Sequence, residues 1–151
     1  MVLAERPTIY AASTADAPAI LRLLLALSRT SQFTKGVAVD EAHLSRTLHQ
    51  LLANPNAVFI VAAHDHGFCG LLVLLFYEHL LSGQRRVAQV CWYVEPAFRD
   101  GLGLALLSAG EAWATAHGAA TIEMMAPTTQ FGAVYERRGY VATNHVYERR
   151  A

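Results

Sequence analysis

The feature that most constrains the fold is a set of three apolar segments in the middle of the chain, separated by short polar turns. The segments span residues 57–64, 68–79 and 85–96, and the turns between them read HDHG and SGQ. Short polar turns between such β-rich runs predict antiparallel hairpins. Pro96 cannot sit inside a central ladder because it lacks an amide hydrogen, so the third strand is expected to end there.

The N-terminal part of the chain predicts one strand and two helices. The strand covers residues 8–13, and Ser13 or Thr14 is the expected cap of the first helix. Asp40 is the expected cap of the second helix, and Asn54-Pro55 ends it. Both helices carry apolar residues at helical spacing. These residues are Ile20, Leu21, Leu24, Leu25 and Leu27 in the first helix, and Leu44, Leu48, Leu51 and Leu52 in the second.

The C-terminal part predicts a glycine turn, a helix from about Leu102 to His117, a strand at 119–127, a short helix at 129–139 and a last strand at 140–150. The complete element order is therefore β-α-α-β-β-β-α-β-α-β. The strand-helix-strand crossover should make its two strands parallel. We expect an α/β (α+β) fold with a mixed, mostly antiparallel central sheet.

The glycine turn, FRDGLGLALL, is the candidate ligand site. The residues after it lack both the Lys-Ser/Thr of a Walker loop and the third glycine of a dinucleotide-binding turn. Glu123 lies where a dinucleotide-binding turn would have its ribose-binding acid. Only one strand-helix-strand crossover follows the turn, however, which argues against a dinucleotide-binding fold. Two interpretations stay open. The turn is a plain strand-to-helix corner, or it is a helix N-terminus that binds a pyrophosphate, where Gly101 and Gly103 allow close approach and Arg99 adds positive charge.

The neighbouring residues carry a family resemblance. WYVEPAFRDGLGLALLSAGEAWATAHG resembles the acyl-CoA loop of the GNAT superfamily of N-acyltransferases, in which an apolar triplet, an acidic residue, a proline, an Arg/Gln and a Gly-x-Gly precede a helix. VYERRGY resembles the second signature of that family, with Tyr135, Gly139 and Tyr140 at its characteristic positions. The element order agrees with the GNAT fold, so the resemblance covers nearly the whole chain.

The resemblance implies direct transfer of an acetyl group from acetyl-CoA to an amine of a small molecule or protein. It implies that Tyr135 is the acid that protonates the departing thiolate, and that the amide of Val94 polarises the thioester carbonyl. The strand that ends at Val94 should splay away from the strand that contains Ile122. The implied cofactor-binding residues are Trp92, Val94, Arg99, Asp100, Gly101, Leu102, Gly103, Leu104, Ala105 and Thr128.

The chain departs from the family pattern in three places. The loop is one residue shorter between the proline and the Gly-x-Gly, so either Phe98 or Arg99 fills the Arg/Gln position. Thr128 stands where an asparagine is frequent. The fourth strand lacks the usual glutamate base, and its nearest polar residue is Gln89. Glu78, His79 or a water chain are the alternatives for the base. A non-catalytic acyl-CoA-binding regulatory domain is the alternative function.

Length, composition and charge indicate the number of domains and the kinds of partner that the chain can have. The 151 residues fit a single domain over 1–151, and a formal net charge of zero argues against a nucleic-acid partner. The longest apolar run is too short to cross a membrane, and the N-terminus does not predict a signal peptide, so we expect a cytoplasmic protein. The His64-x-His66 pair lacks a nearby third ligand, so no metal site is predicted. The apolar content of 54% suggests a homodimer, and the amine acceptor is left unidentified.

Overall fold

The computed structural model describes residues 5–30, 37–65, 67–126 and 129–151. In these ranges the chain forms one five-stranded sheet with the spatial order β1-β2-β3-β4-β5. The strands are β1 (Thr8–Ala11), β2 (Ala57–His64), β3 (Gly67–Glu78), β4 (Arg85–Val94) and β5 (Thr121–Glu123). The helices are α1 (Ala17–Thr30), α2 (Glu41–Leu52), α3 (Leu102–Ala116) and α4 (Thr129–Arg137), and short 3-10 turns cover Thr14–Asp16 and Pro96–Phe98. None of the described helices is both long and apolar enough to span a membrane.

The sheet topology confirms the predicted fold class. Strands β1 to β4 pair antiparallel in sequence order, and β5 pairs with β4 in parallel after the crossover through α3. The predicted cap of the second helix is also confirmed, because the Asp40 carboxylate accepts a hydrogen bond of 2.9 Å from the amide of His43. At the first helix, the amide of Ser13 donates to the Asp16 carboxylate at 2.8 Å.

The predicted last strand at 140–150 is wrong. These residues form no strand, and Val141, Val146 and Tyr147 are 81%, 91% and 92% exposed. A strand buries one face through residues two apart, whereas Val146 and Tyr147 are adjacent and would point to opposite faces. In addition, β5 is only three residues long instead of the predicted nine, so it offers a short edge for pairing.

The sheet is covered on both faces by apolar helix surfaces. On one face, here called the α3 face, Leu102 and Leu106 of α3 pack over Leu72, Leu74 and Val87. On the other, the α1–α2 face, helix residues such as Ile20, Leu23 and Leu48 pack over Phe59, Val61 and Leu71. This alternation of buried side chains along β2 and β3 explains why these strands are apolar at nearly every position.

Gly110 sets how closely α3 approaches the sheet. A Cβ at this position would lie 2.6 Å from Cδ2 of Leu72 and 3.2 Å from Cδ1 of Leu74. Both leucines are fully buried, so neither can move aside without disturbing its neighbours. A side chain at position 110 would therefore push α3 away from β3.

We expect Gly110→Ala to lower the free energy of unfolding by about 1–3 kcal/mol, because it overpacks the contact between α3 and β3. Urea denaturation of the purified protein measures this change. Gly132→Ala is the matched control, since nothing lies within 4 Å of a Cβ at that position of α4. The control should be neutral or stabilising by up to about 1 kcal/mol because alanine favours helix. Equal effects at the two positions would contradict the packing explanation.

A polar network fixes the end of α4 to α3. Arg138 donates from Nε to Oε1 of Glu111 at 3.1 Å, donates to Oε2 of the same carboxylate, and donates from Nη2 to Oγ of Ser108 at 2.9 Å. The hydroxyl of Tyr140 donates to Oε1 of Glu111 at 3.0 Å. Burial raises the pKa of Glu111, but the hydrogen bonds from Arg138 and Tyr140 outweigh it, so the pKa lies below its ordinary value.

This shift predicts a pH-dependent contribution to stability. A lowered folded-state pKa means that the stabilisation is complete above the unfolded value of about 4.3 and is lost as the pH falls through the folded value. Glu111→Gln should therefore destabilise the protein at neutral pH, and the difference from wild type should shrink in strongly acidic buffer. Urea unfolding at several pH values measures it, with the exposed Glu136→Gln as control. A difference that grows towards acid pH would contradict the assignment.

Candidate active site

Strands β4 and β5 are paired over only three residues and then diverge. Arg86, Val87 and Ala88 pair with Thr121, Ile122 and Glu123, and the parallel ladder ends there. Beyond Ala88, strand β4 continues to Val94 with β3 as its one strand neighbour among the described residues, whereas β5 ends at Glu123. We call the gap between residues 89–94 of β4 and residues 124–126 the fork. The predicted splay between the two strands is thus present, with its closed end at the Ala88–Glu123 pair.

Side chains hold the far side of the fork in place of backbone pairing. Oε1 of Gln89 accepts a hydrogen bond of 3.1 Å from the amide of Met125. The hydroxyl of Tyr135 donates to the carbonyl of the same residue at 2.9 Å. Both backbone groups of Met125 are therefore satisfied by side chains, so the segment can stand away from β4 without losing hydrogen bonds.

A β-bulge lies beside the closed end of the fork. Val73 pairs with Cys91 and Leu74 pairs with Gln89, so Val90 is the extra residue on β4, and it is 47% exposed. A bulge bends its strand and increases the local twist. This bend carries the second half of β4 away from the direction of β5.

The free edge of β4 points backbone groups into the fork. The amide of Glu95 donates to the carbonyl of Cys69 at 2.8 Å, so the backbone groups of Glu95 point towards β3. Those of Tyr93, two residues before it, point the same way. By alternation, the amides of Trp92 and Val94 point away from β3, into the fork. The carbonyl of Val94 is already occupied, because Nε of Arg99 donates to it at 3.0 Å.

The glycine turn lies at the open end of the fork. Gly101 caps α3 with a φ of +81°, a left-handed conformation that favours glycine. In the part of the chain that the structure describes, the amides of Leu102, Gly103 and Leu104 donate to no backbone acceptor. A Cβ on Gly103 would lie 3.4 Å from Cζ2 of Trp92, so the first turn of α3 rests directly on that ring. Free amides and the helix dipole together favour an anion at this point.

Phe98 and Arg99, the two candidates for the Arg/Gln position, lie in different surroundings. The ring of Phe98 packs against His64 with a centroid separation of 4.6 Å and belongs to the edge of the core. Arg99 instead reaches back to Val94 at the fork. Asp100 is exposed in the turn. Thr128 and His66 lie outside the described residues.

Trp92 forms the floor between α3 and α4. Its ring contacts Phe131 at a centroid distance of 5.8 Å and Tyr135 at 6.2 Å. The indole Nε1 is buried and has no hydrogen-bond partner among the described residues. An unsatisfied buried donor is costly, so an N–H left in this state beside the fork fits a site that a polar ligand completes.

Tyr135 lies on the same side of the fork and is 5% exposed. Burial raises its pKa to about 12, so the phenol keeps its proton at neutral pH. Its hydroxyl is a donor to Met125 in this structure. The structure brings Tyr135, Trp92, Val94 and the glycine turn together around one gap.

The two protein candidates for the base lie outside the fork. Glu78 pairs in register with Arg85, which precedes the first pair of the β4–β5 ladder, Arg86 with Thr121, and so lies at the end away from the fork. Nδ1 of His79 is 3.0 Å from Oγ of Ser82 in the hairpin turn. Sequence reasoning did not connect Glu123 with this site, because only the strand register shows that Glu123 stands at the closed end of the fork.

Comparisons with known proteins place this architecture in a family. The family model of the acetyltransferase (GNAT) family matches residues 23–140. A search of curated proteins gave no significant match.

Three solved structures illustrate how widely the fold is used. A ribosomal-protein-alanine N-acetyltransferase from Brucella melitensis biovar Abortus 2308 is 18% identical, with a TM-score of 0.73 over 97% of this chain and 100% of that one. A transcriptional regulator from Bacillus halodurans C-125 is 20% identical, with a TM-score of 0.79 over 96% and 99%. An aminoglycoside acetyltransferase from an uncultured soil metagenomic sample is 19% identical, with a TM-score of 0.74 over 96% and 97%.

At these identities the neighbours show the fold, and the family model carries the assignment, since it spans the fork, the glycine turn and Tyr135. The chain belongs to the acetyltransferase (GNAT) family.

Proposed function

We propose that the protein is an acetyl-CoA-dependent N-acetyltransferase that transfers an acetyl group directly to a primary amine. The observation that carries this proposal is the fork, which is open along β4 and ends at the free amides of α3. An acyl-CoA supplies a thioester that an amine can attack, and its pyrophosphate and pantetheine arm match an anion site that continues into a groove lined by backbone.

The residues present fit such a ligand. The amides of Leu102, Gly103 and Leu104 bind the pyrophosphate, because they are the N–H groups of the first turn of α3 that have no backbone acceptor among the described residues. The guanidinium of Arg99 adds positive charge beside them. The orphaned Nε1 of Trp92 gains an acceptor when the groove is filled.

The amide of Val94 is the proposed donor to the thioester oxygen. It points into the fork and belongs to a rigid strand that β3 holds along its other edge. Charge develops on the oxygen as the amine attacks, and a preorganised donor of this kind stabilises it by roughly 3 kcal/mol.

Tyr135 is the proposed acid for the leaving thiolate. It lies on α4 beside Trp92, and its proton is retained at neutral pH because burial raises its pKa to about 12. In the reaction its hydroxyl turns from the Met125 carbonyl towards the sulfur, donates a hydrogen bond and supplies the proton.

The acceptor is proposed at the level of a primary amine. Two structural neighbours are described as acting on a ribosomal-protein alanine and on an aminoglycoside, so an N-terminal peptide and an aminoglycoside are reasonable first acceptors to test. Cys69 and Cys91 are both free thiols, which fits the proposed cytoplasmic location.

Binding of acetyl-CoA tests the proposal directly. Isothermal titration calorimetry should show saturable binding to the wild type, and Gly103→Glu should abolish it, because a carboxylate would meet the pyrophosphate at the α3 N-terminus. Thr115→Glu is the matched control, since it adds the same charge to an exposed position near the other end of α3. If the wild type does not bind acetyl-CoA, the glycine turn is only a strand-to-helix corner and the proposal is overturned.

A non-catalytic acyl-CoA-binding domain is the second candidate. The Tyr135 hydroxyl and the Gln89 side chain both hydrogen-bond to the backbone of Met125. These contacts favour the non-catalytic domain, because they give both side chains a structural role in holding the fork open. Release of the CoA thiol in a panel of primary amines separates the two candidates. Binding of acetyl-CoA without turnover of any amine would support the regulatory domain.

Loss of the Tyr135 hydroxyl should slow chemistry. We expect Tyr135→Phe to lower kcat about 10²-fold, the usual contribution of a general acid, while the Kd for acetyl-CoA changes little. Tyr140→Phe is the control, because its ring lies 5.4 Å from that of Tyr135 but its hydroxyl faces Glu111. If thioester cleavage is rate-limiting and kcat of Tyr135→Phe equals that of the wild type, Tyr135 is not the general acid.

A further inference from the structure

A small cavity lies at the end of the sheet away from the fork, beside the hairpin that joins β3 and β4. It has a volume of about 260 Å³ and is lined by Asn56, Phe76, Tyr77, Glu78 and Arg85. Pockets that take drug-sized ligands have volumes of roughly 300–1,000 Å³. The cavity therefore suits a smaller molecule, with only a few heavy atoms.

Strand alternation brings two opposite charges to one wall of this cavity. Phe76 and Val87 both point to the α3 face of the sheet. Glu78 follows Phe76 by two residues and Arg85 precedes Val87 by two residues, so the side chains of Glu78 and Arg85 share that face. The two residues are also cross-strand partners in the β3–β4 ladder.

The guanidinium of Arg85 is held by two contacts that leave most of its donors free. Its Cζ lies 4.0 Å from the centroid of the Phe76 ring, which is a cation–π contact, and its Nη2 donates to Oδ1 of Asn56 at 3.4 Å. The Phe76 ring is itself fixed, because it packs against Trp113 at a centroid distance of 5.3 Å. A guanidinium has five N–H donors in one plane, and among the described residues only one of them has a hydrogen bond.

Glu78 does not pair with this guanidinium, although the two residues are direct cross-strand partners. Among the described residues, the carboxylate of Glu78 has no hydrogen bond and no ion pair. Side chains at such paired positions begin about 5 Å apart at their Cβ atoms. Both side chains are exposed, so a carboxylate and a guanidinium face one cavity that a ligand can enter from solvent.

We propose that this cavity binds a free α-amino acid as its zwitterion. The α-carboxylate accepts hydrogen bonds from the free N–H groups of Arg85, and the α-ammonium donates to the carboxylate of Glu78. The planar guanidinium matches a carboxylate in this two-pronged contact, and its position is fixed in advance by Phe76 and Asn56. The proposal is independent of acetyl transfer, because none of these side chains belongs to the fork.

The two charges select for a ligand that carries both opposite charges close together. A simple carboxylate such as acetate would pair with Arg85 but would meet the negative charge of Glu78. A simple amine would pair with Glu78 but would meet the positive charge of Arg85. An α-amino acid carries its ammonium and its carboxylate on one carbon atom, so each charge meets its counterpart and neither is repelled.

The cavity is separate from the proposed site of acyl transfer. Arg85 precedes Ala88, where the β4–β5 ladder ends, by three residues, which corresponds to about 10 Å along the strand. The free amides of α3 lie further away, at the open end of the fork. An amino acid and CoA can therefore be bound at the same time.

An NMR titration of the ¹⁵N-labelled full chain tests the proposal. L-Alanine and L-leucine are titrated separately, and the backbone amide signals of Glu78 and Arg85 are followed together with the Nε–H signal of Arg85. We expect saturable shifts of these signals with at least one of the two amino acids. The N-acetyl and the amide derivatives of that amino acid each lack one of the two charges, so each should bind about fivefold more weakly or worse.

Matched variants locate the binding. Glu78→Gln and Arg85→Gln should each raise the Kd for the amino acid about fivefold or more, because each variant removes one charged partner at an exposed site. Glu148→Gln and Arg149→Gln remove the same charges from the exposed C-terminal segment, and they should leave the Kd within twofold of wild type. Saturation with CoA should also leave the Kd within twofold.

Four outcomes would overturn the proposal. The first is the absence of a saturable shift with both amino acids, and the second is a rise in Kd of less than threefold in either cavity variant. The third is binding of the N-acetyl or the amide derivative as tightly as the free amino acid. The fourth is competition by CoA, which would place the amino acid in the fork. All four are distinct from failure of the proposed function, which acetyl-CoA binding to the wild type decides.

Discussion

The candidate site depends on one interruption of backbone pairing, the end of the β4–β5 ladder at Ala88 and Glu123. Parallel strands normally continue their hydrogen bonds along their length, and an unpaired buried edge costs free energy. Here the Gln89 amide and the Tyr135 hydroxyl satisfy both backbone groups of Met125. The fork is therefore a stable part of the fold, and β4 keeps a free edge that a ligand can use.

The glycine turn complements this opening. Gly101 allows the left-handed cap from which α3 begins, and Gly103 brings the helix onto the ring of Trp92. Gly110 continues the same close approach further along α3, over Leu72 and Leu74. The position of the free α3 amides thus follows from close packing of one helix on the sheet, and the Glu111–Arg138 network places α4 against that helix.

Much of this was predictable from the sequence, and the failures have physical causes. Turn residues and β-rich apolar runs predicted the three central strands and the class of the sheet, because both signals are local. The strand at 140–150 was predicted from its β-forming residues, but Val146 and Tyr147 give it no single apolar face and β5 offers it only three residues. The sequence also could not place Glu123, since its partners Tyr77 and Arg86 lie 46 and 37 residues away.

The sequence by itself determined most of the elements, the glycine turn and the identity of the residues around it, since helix caps, apolar runs and turn chemistry act over a few neighbouring residues. Only the tertiary structure decided where pairing between β4 and β5 stops, that Arg99 rather than Phe98 reaches the fork, and which carboxylate stands at its closed end. The reason is strand register: it is set by packing of the whole sheet between two helical layers, and a one-residue change in register would turn Glu123 to the other face.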